Sequence, residues 1–238
     1  EEYMSIKIGF LINPIAGMGG RVGLKGTDGV YEKAKNLGAK KTSEKKAYET
    51  IREFIDKYNF NKEIVWYTCS KSMGENVLRK NNIKNINIVY EYDDNTTSTE
   101  DTIKACKKIL ENNPDLILYC GGDGTTRDIY SVIKDKIPIL GIPSGVKMHS
   151  GVFGINTSAS AKMLYEFING NLSVGDADIM DLDEDLYREG EWKVKLFGVA
   201  KGIVEPTYIQ VGKASFQSIS DDSIKEEIAE YIEDEMND

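Results

Sequence analysis

Short apolar runs alternate with longer amphipathic ones over the first 170 or so residues. Ile6–Ile12, Glu63–Cys69, Ile86–Tyr92, Asp115–Cys120 and Pro138–Ile142 are rich in Ile, Val, Leu and Tyr and read as buried strands. Glu44–Tyr58, Met73–Lys80, Glu100–Glu111, Thr125–Ile133 and Ser158–Asn169 read as helices. In Glu100–Glu111, Ile103, Cys106 and Leu110 recur at helical spacing with Ile109 beside them. Ser98 followed three residues later by Asp101 predicts a capping box at its start. Strand–helix alternation of this kind predicts an α/β fold: a Rossmann-like, mainly parallel sheet with helices on both faces.

After about Asn171 the pattern changes. Val174–Leu182 and Trp192–Val204 alternate partially, as in Trp192, Val194 and Leu196 against Lys193 and Lys195, and read as strands. Asp221–Asp238 places Ile224, Ile228 and Ile232 at helical spacing behind an Asp-rich start and reads as an acidic helix. The expected organisation is an α/β domain over 1–171 and a smaller β-containing region over 172–238.

The connections are unequal. Those leading into strands are plain polar turns. Those following strands, Asn13–Gly29, Asp93–Thr99, Gly121–Thr125 and Pro143–Gly154, are rich in glycine or hydroxyl groups. In open α/β sheets, ligands bind outside the carboxyl ends of the strands, so these four loops are expected to gather at one edge. The turn Gly121-Gly122-Asp123-Gly124-Thr125 lies between a strand and a helix. Its glycines let backbone N–H groups approach a ligand, and the helix start adds donors and partial positive charge suited to phosphate. A carboxylate inside such a turn reads as a base or metal ligand beside the phosphate; the plain alternative is that Asp123 caps the helix.

Asn13–Gly29 holds glycines 17, 19, 20, 23, 26 and 29 with Arg21, Lys25 and Asp28. Gly17, Gly19, Gly20 and Gly26 are expected to cradle an anion with the two cations assisting, although neither Gly-x-Gly-x-x-Gly nor Gly-x4-Gly-Lys-Ser/Thr is present. The alternative is a surface loop or lid. In Asp93–Thr99, Thr96 and Thr97 suit ribose or phosphate oxygens, or cap the next helix. Pro143–Gly154 carries His149, the single histidine, with Ser144, Lys147 and Ser150. Gly-x-Ser-x-Gly is absent, which argues against a hydrolase, and Lys147 reads as a phosphate partner.

At 238 residues, 40% hydrophobic and 29% charged, the composition is that of a soluble globular protein. No apolar run approaches the ~20 residues of a membrane span, and the first ten residues are not a signal peptide. Three scattered cysteines, Cys69, Cys106 and Cys120, argue for a reducing, cytoplasmic setting without disulfides. The net charge of −9 is unevenly placed: residues 176–238 hold 18 acidic and 6 basic side chains, and the rest is slightly basic. The acidic end reads as solvated surface. The front suits a phosphate-bearing small molecule, and no basic stripe with interleaved aromatics points to nucleic acid.

Gly121-Gly122-Asp123-Gly124-Thr125 after a strand, with Asn13-Pro14-x-x-Gly17 after the first strand, resembles the superfamily of NAD kinases, diacylglycerol kinases and sphingosine kinases. NPIAGMGGRVGLKGTDG, NTTSTEDT, GGDGTTRDI and GIPSGVKMHSGVFGI, in that order, look closest to its ATP-NAD kinase/AcoX-type branch, and the likeness runs from about Lys7 to Lys213. The resemblance implies transfer of a phosphoryl group from ATP, with Mg²⁺, to a hydroxyl. In NAD kinases that is the 2′-hydroxyl of the adenosine ribose of NAD, giving NADP. It implies Asp123 as general base, with Asn13, Pro14, the loop glycines, Gly121, Gly122, Gly124, Thr125, Ser144, Lys147 and His149 around the nucleotides. Asp123 or Asp28 would face the metal. Relatives form homo-oligomers, and the same is expected here; members of this branch also run on past the point where this chain ends, so if the chain is a truncated form, part of its second domain is missing and it is expected to be inactive as given. The Asn-Glu pair that NAD kinases carry downstream of this turn has no counterpart here. A kinase of another small alcohol or nucleoside and a non-catalytic nucleotide sensor are the alternatives.

Overall fold

The computed structural model describes residues 5–18, 31–58, 62–93, 96–145, 148–182 and 193–204. The strands are β1 (Ile6–Ile12), β2 (Ile64–Cys69), β3 (Ile86–Tyr90), β4 (Leu116–Gly121), β5 (Ile139–Pro143), β6 (Ser173–Leu182) and β7 (Val194–Val204). The helices are α1 (Tyr31–Asn36), α2 (Ser43–Lys57), α3 (Glu75–Lys80), α4 (Thr99–Leu110), α5 (Asp123–Ile133) and α6 (Thr157–Ile168). One seven-stranded sheet has the order β3-β2-β1-β4-β5-β7-β6. All its pairings are parallel except that of β6 with β7.

Alternation along the central strands sends side chains to two cores, one on each sheet face. Ile8, Phe10 and Ile12 of β1 and Leu116, Leu118 and Cys120 of β4 meet Ala47, Ile51 and Phe54 of α2 and Leu164 of α6. On the other face Leu11, Ile117 and Tyr119 meet Ala105, Cys106 and Ile109 of α4 and Ile129 and Ile133 of α5. Strands buried on both faces read as continuous apolar runs, which is why they stood out in the sequence. All three cysteines are free and buried. None of the helices among the described residues is long and apolar enough to cross a membrane.

The expected boundaries lie within two residues of those observed, with three differences. The segment read as one helix from Met73 is a 3-10 turn, Lys71–Met73, and a separate α3. Gly74 divides them at φ +151°, where a Cβ would collide with Thr68 Oγ1. Helix α1 was not expected; six residues are too few for a periodic signal, and it is anchored by Tyr31 against Ile15 and Met18. The face of α4 that is buried centres on Thr102, Ala105, Cys106 and Ile109, whereas Ile103 and Leu110 are half-buried. Trp192 and Asp221–Asp238 lie outside the described residues. The strands beyond Asn171 form an antiparallel hairpin that joins the sheet where Ile139 of β5 pairs with Gly202 of β7.

The chain runs outward from β1 through β2 to β3, then returns to the opposite side of β1 as β4. That reversal is the topological switch point, the place where ligands bind in open α/β sheets.

Candidate functional site

The loops after β1, β4 and β5 meet at this switch point. The Asn13 N–H donates to the Cys120 carbonyl (2.9 Å), and its side-chain amide donates to Thr125 Oγ1 (3.0 Å). Its side-chain carbonyl oxygen accepts from the Ile15 N–H (3.3 Å), so one asparagine turns the chain after β1 and ties that turn to the start of α5. Gly17 has φ +80°, and a Cβ there would lie 2.6 Å from the Ser144 carbonyl oxygen. A Cβ on Gly121 would lie 2.6 Å from the Thr125 side chain. Gly17 thus lets the backbone after β1 close on that after β5, and Gly121 leaves room for the Thr125 side chain of its own turn.

Gly122 is the N-cap of α5, with no side-chain capping bond. The reading of Asp123 as the cap is therefore corrected. Asp123 is the first residue of α5, and its carboxylate turns across to the loop after β5. There it accepts the His149 N–H at 2.7 Å and the Ser150 N–H at 2.9 Å, one on each oxygen. It is 9% exposed. Burial pushes its pKa up to about 6; the Ser150 and His149 hydrogen bonds pull the other way, and Asp181 adds to the rise. The two N–H groups occupy one acceptor direction on each oxygen and leave others for a ligand proton or cation.

Thr126 fastens the first turn of α5 to the sheet. Its hydroxyl donates to the Gly122 carbonyl (3.0 Å) and meets the buried Tyr119 hydroxyl at 2.5 Å. On the hairpin side, Arg127 Nη1 lies 3.2 Å from Asp181 Oδ2, and the guanidinium sits over the Phe197 ring at 5.3 Å. Arg127 stands one turn beyond Asp123 on the same helix face.

The expected site residues divide into three groups. Asn13, Pro14, Gly17, Gly121, Gly122, Asp123, Gly124, Thr125, Ser144 and His149 lie on the three converging loops. The Ser144 N–H donates to the Gly121 carbonyl (3.0 Å), and its hydroxyl is buried without a hydrogen-bond partner. Thr96 is exposed and Thr97 buried after β3, the edge strand, roughly 10 Å along the sheet from β1 at ordinary strand spacing. Next to them Ser98 and Asp101 form the expected capping box. Gly19, Gly20, Arg21, Lys25, Gly26, Asp28 and Lys147 lie outside the described residues.

Three residues have no role assigned from sequence: Ser150, Arg127 and Asp181. Ser150 is named in its loop beside the single histidine, but nothing local to the sequence marks which group its hydroxyl meets. Asp181 fell in the acidic stretch read as solvated surface, yet its side chain is only 13% exposed and ion-paired. Asp176, by contrast, is exposed and bonds Lys201 at 2.6 Å.

A family model of the ATP-NAD kinase N-terminal domain matches residues 8–172. The chain belongs to this ATP-NAD kinase family. Among curated proteins, a NAD kinase of Sulfurisphaera tokodaii is 53% identical over 38 residues. That match covers 16% of this chain and 14% of the relative's length. No solved structure matches the chain. The family match runs from Ile8 within β1 through β5 and takes in all three converging loops, so membership covers the region where the site is built.

ATP-NAD kinases use ATP with a divalent cation. No group of three or more His, Cys, Asp or Glu side chains among the described residues is placed to hold a metal. Mg²⁺ carried on nucleotide phosphates needs only one or two protein carboxylates. Asp123 fits that role, as a buried carboxylate with spare lone pairs at a helix start, and Asp181 is near enough to act on it electrostatically.

Proposed function

We propose that the protein transfers the γ-phosphoryl group of ATP to the 2′-hydroxyl of the adenosine ribose of NAD, giving NADP and ADP. The observation that carries this reading is Asp123. It is a buried carboxylate at the start of α5, held by two backbone N–H groups and titrating at about 6. A group with that pKa is ionised at neutral pH and still basic enough to take a hydroxyl proton as the oxygen attacks phosphorus. Phosphoryl transfer asks mainly for in-line placement and charge neutralisation. The glycine turns after β1 and β4 bring backbone donors to the phosphates, and the α5 N-terminus adds favourable dipole charge. Carried on the ATP phosphates, Mg²⁺ would neutralise phosphate charge.

ATP-dependent NADP formation by the full chain tests the reading. Asp123→Asn is expected to lower turnover by about 10²–10⁴-fold while NAD still raises the melting temperature. Turnover with other alcohols or nucleosides but never with NAD refutes the acceptor. Undiminished turnover in Asp123→Asn refutes the base. Ligand-dependent stabilisation with no turnover on any hydroxyl makes the protein a sensor.

A further inference from the structure

Ser150 links two parts of the molecule that are distant in sequence. Its N–H donates to Asp123 Oδ1 at 2.9 Å. Its hydroxyl donates to the Met180 carbonyl and accepts from the Met180 N–H, both at 2.9 Å, so one side chain occupies a complete backbone pairing position on β6. Ser150 is 0% exposed and Met180 7% exposed. Next to this joint the Gly151 N–H donates to the Asp178 carbonyl at 2.9 Å. The segment that presents two N–H groups to Asp123 is thus fastened to β6 at Ser150 and Gly151, and only beyond them to β5, where the Gly141 N–H donates to the Val152 carbonyl (2.9 Å) and the Gly154 N–H donates to the Gly141 carbonyl (3.0 Å). Asp181, the residue after Met180, is in turn held by Arg127 of α5. Hairpin, loop and helix start form a closed circuit around the Asp123 carboxylate.

We propose that Ser150 is a positioning residue for the reaction, whose hydroxyl uses β6 as the fixed support that holds the His149 and Ser150 N–H groups on Asp123. The inference rests on Asp123 being the reacting carboxylate. Removing the hydroxyl leaves the Met180 N–H and carbonyl buried and unpaired. The bonds of Gly151 to β6 and of Val152 and Gly154 to β5 remain, but the anchor nearest the two N–H groups is lost; displacements near 1 Å at a reacting group cost on the order of 100-fold in rate. The chemistry takes place at Asp123, and Ser150 acts only through it.

The test compares Ser150→Ala with Leu164→Ala, a core truncation on α6 in the opposite sheet-face core, used as a destabilised control. Two readouts are taken: steady-state NADP formation, and amide hydrogen exchange at positions 149 and 150. Ser150→Ala is expected to lower kcat about 10–100-fold with KM for NAD and ATP changed less than about threefold. It is also expected to speed exchange at both positions at least tenfold beyond the control. The inference is overturned if kcat stays within twofold of wild type, if Leu164→Ala loses as much kcat, or if exchange at 149 and 150 matches the control. Exchange does not depend on activity. A chain without turnover on any acceptor therefore refutes the proposed reaction, while exchange still decides the joint. If Ser150→Ala does not fold, Ser150→Cys keeps the size and a weaker donor. A smaller loss of kcat and protection is then expected, and wild-type values in both overturn the inference.

Discussion

Replacing Asp123 with Asn should change how stability depends on pH more than it changes stability at any one pH. The carboxylate has a folded pKa of about 6 against an ordinary value of 3.8, chiefly because it is buried. The folded protein therefore binds this proton more tightly than the unfolded chain does. By linkage, stability falls as pH rises between about 4 and 6 and levels off above that. The rise from 3.8 to about 6 corresponds to about 3 kcal/mol. Asn cannot titrate, so the variant lacks this slope. Its amide keeps one acceptor for the His149 and Ser150 N–H groups and turns an NH₂ toward the other, a pH-independent cost of about 1–3 kcal/mol. Glu53, Glu75, Asp101 and Glu166 have lowered pKa values and contribute the opposite slope, but equally in both proteins, so they cancel in the difference. Urea unfolding of wild type and variant at half-unit steps from pH 4 to 7.5 measures that difference. Wild type should be ahead by the most near pH 4, and its advantage should shrink by about 2.4 kcal/mol by pH 7, since the unfolded carboxyl is already partly ionised at pH 4; that is roughly 5–10 °C in melting temperature. A difference constant within about 0.5 kcal/mol across that range would refute the burial argument and, with it, the tuning of the proposed base.

Two further substitutions test how the loops are held together. Gly17→Ala forces a side chain into φ +80° and against the Ser144 carbonyl oxygen. It should cost at least about 2 kcal/mol by urea unfolding, more than the strained backbone alone, because a carbonyl of the β5 loop cannot move aside cheaply. Thr126→Val strands the buried Tyr119 hydroxyl and should cost about 1–3 kcal/mol; adding Tyr119→Phe should recover part of that loss, and strict additivity in the double-mutant cycle would show that the two hydroxyls do not interact.

Legibility followed the range of the interactions. The five parallel strands, the main helices and the Ser98–Asp101 capping box were readable because their signals are local: alternation, helical spacing and a three-residue cap. The convergence of loops was readable as well, since a parallel sheet places every strand-to-helix turn at one edge. Helix α1 was too short to carry a period, and Gly74 looked like an ordinary helix residue until Thr68 was placed beside it.

From the sequence by itself came a parallel α/β sheet, a set of ligand-type loops and a carboxylate in the glycine turn after β4. The tertiary structure decided what that carboxylate is. Its hydrogen-bond donors stand 26 and 27 residues later in the chain, and the joint that steadies them reaches a further 30 residues to Met180. Burial, backbone donors and neighbouring charge set a pKa, and all three depend on which distant segments the sheet brings together. The same holds for Asp181: composition put it among solvated acids, and the hairpin's register set it against Arg127 beside the site.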